Sequence, residues 1–267
     1  MQGSNNPRSL FSIRKELFYV VLIIISVFAV VFQHLGMEKT FKFTEYSSNK
    51  ILIDNDRANG GRSQGTFELL KNKVLVKCQT KNTRNTFAYC GINIKVSENI
   101  NQGVDFNGYD SLEFTLNYNA TLDDTILVYL SNLEKNSSNA IKRANMYAYL
   151  PKNGKQTVSL KLNDFTVPSW WLLLQKNVVE SSLTNFDNII ELRIISGDNT
   201  NERSIDFSVS DVVFKGKWIK ADTLYLSLLI IWLFIIGYNS LTSFENIRKA
   251  YSFKTKESKA LQNLNKL

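Results

Sequence analysis

The chain has 267 residues, a formal net charge of +8, one histidine and two cysteines. That length holds one medium domain plus accessory segments. A single histidine excludes a multi-histidine zinc centre, and neither a Walker A sequence nor G-x-G-x-x-G is present to cradle a nucleotide.

The excess charge lies at the two ends. Arg8, Arg14 and Lys15 stand against Glu16, and Arg248, Lys249, Lys254, Lys256, Lys259 and Lys266 stand against Glu245 and Glu257. Basic ends of this kind suit anionic lipid headgroups and give no reason to expect a nucleic-acid partner.

In chain order, residues 1–16 form a basic tail. Residues 17–37, opening "LFYVVLIIISVFAVVFQHL", carry no charge. About 20 such residues in a helix cross the hydrocarbon of a bilayer. A cleaved signal peptide is the alternative, but the apolar run is longer than its usual core and no A-x-A-like site follows. His34 closes this run at the level of the headgroups, which leaves it neither a triad partner nor a phosphoacceptor.

Residues 39–220 alternate apolar and polar side chains with a period of two, the pattern of strands with one buried face. The loop "DNDRANGGRS", Asp54 to Ser63, falls between two strand-like runs. Gly60 and Gly61 favour a tight connection. The oxygen-rich composition also offers Asp54, Asp56 and Asn59 as ligands for a structural calcium ion, although the spacing is not that of an EF-hand. A strand follows rather than a helix, so the loop is no phosphate cradle.

Cys78 and Cys90 follow on "NKVLVKCQT" and "NTFAYCGINIKV", joined by the polar "KNTR". This spacing lets them face each other across a hairpin. An oxidising compartment would join them in a disulfide; two buried thiols are the alternative.

The runs "SLEFTLNY", "DTILVYLSN", "RANMYAYL", "KQTVSLKL", "NIIELRIIS" and "SIDFSVSDVVFKG" continue the alternation, with turns such as "NYNATLD" and "PKNGK" between them. Nine or ten strands predict a mainly β fold, a β-sandwich or jelly roll. A helical turn is expected near "LLLQKNVVESSL". In "NDFTVPSWWLLL", Pro168 bends the chain and Trp170 and Trp171 follow. On an extended chain one ring enters the core and its neighbour faces out. An exposed ring can stack on a sugar while Arg57 and Arg62 clamp a carboxylate or phosphate; the alternative is that both rings cover the sandwich floor or rest on a membrane.

Residues 222–242 form a second uncharged apolar run, and residues 243–267 a basic helical tail. Phe244, Ile247 and Tyr251 are spaced as in a coiled-coil seam, which offers pairing with a second copy through the second span and tail, but the register weakens at Lys254 and Ser258, and a solvated juxtamembrane helix is the alternative. Positive charge at both ends places both termini in the cytoplasm and residues 39–220 outside, in the periplasm of a bacterial inner membrane.

Catalysis finds little support in these residues. Glu45, Asp54, Asp56 and Asp164 are carboxylates from which a glycosidase pair would have to come. No acidic motif for the magnesium ions of a nucleotide cyclase appears in the tails. The expectation is a non-enzyme.

"NDRANGGRSQGTFELL", then "VLVKCQT" and "FAYCGINIKV", then "VDFNGYDSLEFTLNY", resembles the opening of galactose-binding-like jelly rolls, such as certain carbohydrate-binding modules and the mitochondrial complex I assembly-factor family. "LNDFTVPSWW" and "IDFSVSDVVFKGKWI", leading into an apolar span, look like the extracytoplasmic sensor region of bacterial membrane-bound diguanylate cyclases, the GGDEF proteins. The resemblance implies a sensor that binds a small molecule, glycan or protein outside and relays a change through the second span, linked to cyclic-di-GMP signalling. The double glycine occurs only at Gly60-Gly61, so it gives these residues no cyclase activity. A non-signalling membrane-anchored carbohydrate- or protein-binding module is the second expectation.

Overall fold

The structure, a computed structural model, describes residues 7–43, 47, 49–83, 87–99, 102–120, 125–134, 142–174, 182–197 and 202–264. The chain divides into a helical unit (residues 1–37 and 219–267) and a β unit (residues 38–218).

The helical unit contains α1 (Pro7–Leu35) and α3 (Ala221–Leu264). Glu16–Leu35 and Ala221–Glu245 are each long and apolar enough to cross a membrane. Their side chains face outward: Phe28, Leu35 and Phe234 are all exposed. Among the described residues, one polar contact joins the two helices and a second ties α1 to the chain just before α3. The Trp232 indole N–H donates to Ser26 Oγ at 3.3 Å, and Gln33 Nε2 donates to the Ile219 carbonyl at 3.2 Å. No break separates the apolar half of α3 from its basic tail.

Among the described residues the β unit holds eleven strands: β1 (Glu38–Lys42), β2 (Ile51–Asn55), β3 (Gln64–Leu70), β4 (Lys73–Thr80), β5 (Cys90–Lys95), β6 (Tyr109–Ala120), β7 (Ile126–Leu133), β8 (Lys142–Tyr149), β9 (Gly154–Lys161), β10 (Ile189–Ser196) and β11 (Arg203–Lys217). All pair antiparallel. One sheet runs β3-β4-β11-β6-β9, with β1 added to β11; the other runs β2-β5-β10-β7-β8.

The inward positions are those the alternation picks out. Leu112, Phe114 and Leu116 from β6 meet Ile92, Val128 and Ile194 from the facing sheet, all buried in one core. This is the expected β-sandwich of the jelly-roll class. The five-residue β1 is an addition to the strands read from the pattern. It fits because β11 kinks at Asp211, which has φ 52°, and its register with β6 shifts between Ser210 and Val213. Below the kink β11 pairs with β4, and beyond it with β1. The short helix α2 is Ser169–Leu172. It lies at "SWWL", just before the expected turn, most of whose residues, 175–181, fall outside the described ones.

Cys78 and Cys90 are bonded, with Cα atoms 5.8 Å apart. The hairpin expectation is corrected here. β4 and β5 belong to opposite sheets, so the bond ties the two layers together through the core. Residues 81–89 are long enough to carry the chain across the ~10 Å between layers. Gly65 on β3 lies against the bridge: a Cβ there would come within 2.6 Å of Cys90 Sγ.

Candidate functional site

The outward faces of the two sheets differ in chemistry. Residues paired across the six-stranded sheet read Thr66, Lys77, Asp206, Asn119, and one step along Glu68, Leu75, Ser208, Asn117, Lys155. That is an ordinary solvated surface. On the five-stranded sheet the central row reads Met146, Tyr129, Arg193, Asn93, Leu52. The row beside it reads Ala148, Leu127, Ile195, Gly91, Asp54. Apolar and aromatic side chains thus occupy positions that a solvated face gives to polar ones.

Half of this face is covered. After β9 the chain returns along β8, where Thr166 and Met146 exchange backbone hydrogen bonds of 2.7 and 2.9 Å. Val167 and α2 then pack on Tyr129, Ala144 and Ile195 as a second apolar cluster. Trp171 is its keystone. It is 4% exposed, its indole N–H donates to the Lys142 carbonyl at 2.8 Å, and the Arg143 guanidinium lies 5.6 Å from its ring centre. Its neighbour Trp170 is 48% exposed. One ring in and one out is the division expected from sequence, produced by a helical turn instead of an extended chain.

The remainder of this face, among the described residues, centres on Arg193, whose side chain is 22% exposed. Its Nε donates to Asp54 Oδ2, and its guanidinium lies 5.2 Å from the Tyr129 ring centre. Burial works against the guanidinium charge, but the hydrogen bond and charge of Asp54 outweigh it and hold its pKa above the ordinary arginine value. Tyr89 stands beside this pair. Burial, and then the Asp54 carboxylate, push its phenol above the ordinary tyrosine value. Its hydroxyl accepts a long 3.5 Å contact from Asn59 Nδ2. Leu52 is 49% exposed at the edge of the row, and the Lys142–Glu191 ion pair flanks it on the other side.

The loop "DNDRANGGRS" begins at this edge, with Asp54 and Asn55 closing β2. Asp56–Asn59 form a 3-10 turn closed by Gly60 at φ 85°. Asp56 is fully buried and accepts from the Ser63 backbone N–H (2.9 Å) and the Ser63 hydroxyl (2.7 Å). A Cβ at Gly61 would fall 2.1 Å from the Asp56 carboxyl carbon, so the second glycine leaves room for the carboxylate.

The calcium expectation does not fit this arrangement. Asp54 is committed to Arg193, Asp56 to Ser63, and Asn59 turns to Tyr89. No three His, Cys, Asp or Glu side chains gather for a metal among the described residues. Arg57 and Arg62 are exposed on the loop, whereas the cation over the Trp171 ring is Arg143. Among the carboxylates offered for glycosidase chemistry, Asp164 sits exposed in a separate 3-10 turn and Glu45 lies outside the described residues. Arg193, Tyr129 and Tyr89 were missed from sequence. The signal existed in "NIIELRIIS": Glu191 and Arg193 put two charges at successive outward positions of a strand that is otherwise mostly apolar.

No family model matches the chain, and no curated protein matches it. Among solved structures it is similar to the family 11 carbohydrate-binding module from Clostridium thermocellum in complex with a β-1,3-1,4-mixed-linked tetrasaccharide: 13% identity, 67% of this chain and 96% of that one covered, TM-score 0.48. The family 11 module of a cellulosomal cellulase from the same organism gives 14% identity, coverages of 68% and 96%, and TM-score 0.48. The family 30 module of another of its cellulosomal cellulases gives 9%, 69%, 93% and 0.37. None of the three is a diguanylate cyclase sensor, and at these identities and TM-scores they assign no ligand to this chain.

Proposed function

We propose that the β unit is a non-catalytic glycan-binding module held at a membrane by the helical unit, with the uncovered part of the five-stranded sheet as its binding face. The observation that supports this reading is the central row of that face. Sugars present flat C–H surfaces ringed by hydroxyl groups. They are recognised by apolar and aromatic floors with a few planar polar groups set into them. Leu52 and Tyr89 supply the first kind of surface, and the Arg193–Asp54 pair with Asn93 the second. The pair brings fixed, mutually oriented donors and acceptors, so little ordering is required on binding.

The membrane placement is supported by the outward apolar side chains of α1 and α3, which water does not favour. The basic ends support cytoplasmic termini and a periplasmic β unit. The glycan reading is tested with the full chain in lipid nanodiscs on an oligosaccharide array. Arg193→Ala and Asp54→Ala are expected to weaken binding at least ~10-fold, the worth of one charge-assisted hydrogen bond. Lys77→Ala, on the opposite sheet, should leave it unchanged. No glycan bound by the wild type, or equal losses from both sheets, overturns the reading and leaves protein docking.

A second reading, a sensor that relays occupancy to a cyclic-di-GMP output, is favoured by one feature. Only residues 218–220 separate the end of β11 from the start of α3.

A further inference from the structure

α3 has 44 residues, which at ~1.5 Å each reach about twice the ~30 Å of a bilayer's hydrocarbon. In its apolar half, Ile230, Leu233, Phe234, Gly237, Tyr238 and Leu241 line a groove. Its floor at Gly237 is bare backbone, with nothing within 4 Å of where a Cβ would be. Further along, Phe244 and Ile247 are 76% and 55% exposed. Residues 230, 233, 237, 240, 244 and 247 alternate steps of three and four, so groove and exposed residues form one stripe with the 3.5-residue repeat of a supercoiled pair. A different stripe meets α1. Leu224, Leu228, Trp232 and Ile235 are half-buried, and Trp232 bonds Ser26. Gly237 lies two residues beyond Ile235, about 200° around the helix, on the opposite side.

We propose that α3 pairs in parallel with α3 of a second copy of this chain along the Ile230–Leu233–Gly237–Phe244–Ile247 seam. Lipid can cover the groove within the bilayer, but it cannot cover Ile247, which lies beyond the apolar segment ending at Glu245, and Phe244 stands at the edge of that segment. The stretch of α3 beyond the apolar segment gains little from its own propensity and is stabilised by packing an apolar face. A second copy meets every requirement at once. All copies cross the membrane in the same sense, so the pair is parallel and in register. Each helix sets its Gly237 against the other's, where absent side chains let the backbones approach. This pairing does not depend on glycan binding, but it rests on the membrane placement.

The test is a scan of single cysteines from Ile230 to Ile247 in the full chain in native membranes, with mild oxidation. Cys78 and Cys90 are already bonded to each other. Covalent dimers are expected at 230, 233, 237, 244 and 247, and background at 232, 235 and 239. Gly237→Leu should lower the dimer yield of the Ile247→Cys chain about tenfold, the effect of ~1.4 kcal/mol at a helix interface. A flat profile, or a maximum at Trp232 and Ile235, overturns the seam. Release of the chain from membranes by alkaline carbonate defeats the membrane placement instead, and is read independently of the crosslinking pattern.

Discussion

Asp56 shows how far single residues can be read. From sequence it is one oxygen in an acid-rich loop and serves equally as a calcium ligand or a turn former. The fold buries it against Ser63, whose donors come from seven residues along the chain. Nothing local marks that partnership except the second glycine, whose missing Cβ makes the space. Tyr89 carries a prediction at the same scale. Burial and Asp54 raise its pKa, so it stays protonated in the folded chain at pH values where the unfolded chain has lost that proton. The contribution of Tyr89 to stability is constant below the ordinary tyrosine value of about 10 and falls as pH rises beyond it, because the unfolded state then binds fewer protons. Denaturant unfolding followed from pH 8 to 11 should show Tyr89→Phe losing stability less steeply than the wild type above pH 10. Identical slopes would show that the phenol has no such role. Tyr109, raised chiefly by its own burial, keeps part of the slope in both proteins.

Elements were more legible than their partners. Period-two alternation marked β6 to β11 because each turns an apolar face to the core, and it picked out Leu112, Phe114 and Leu116 of β6, whereas β7 and β10 also bury the outward residues Tyr129, Ser131 and Ile195. Alternation carries no information about which sheet a strand joins, and this is why the two cysteine strands were read as a hairpin when they lie in facing layers. The distinction changes what the bond does. A hairpin staple would reinforce one pair of strands; this one holds the layers together beside Gly65. Replacing both residues, Cys78→Ser with Cys90→Ser, is expected to lower the unfolding free energy by about 3 kcal/mol on chain-entropy grounds. The measurement is denaturant unfolding of the two proteins side by side. The same bond reports on compartment. Chain taken directly from cells should carry no thiol that alkylating reagents can label after unfolding, and labelled Cys78 and Cys90 would place the β unit in a reducing cytosol.

For the whole molecule, the sequence laid out apolar run, β-patterned middle and second apolar run, because charge-free stretches of about 20 residues stand out without any tertiary knowledge. The proposed binding face was far less visible. It is assembled from β2, β5, β10 and β7, distant in sequence, and the loop arginines Arg57 and Arg62 and the Trp170-Trp171 pair are more conspicuous in the sequence than Arg193. If occupancy of that face is relayed to the cell interior, the three residues after β11 must transmit it. A flexible Gly/Ser segment inserted after Lys217 should then abolish the ligand-dependent change in cellular cyclic-di-GMP while glycan affinity stays within about twofold, since a ligand moves an equilibrium only through states it binds differently. An unaltered response in that variant rejects the relay and leaves a simple anchor. The pairing of Glu38 with Lys217 has a practical corollary. Neighbouring strands lie about 5 Å apart, so the polypeptide enters and departs the sandwich through a single doorway. The module is consequently portable: spliced into a surface turn of an unrelated host, it asks that host to part by no more than the width of a hairpin.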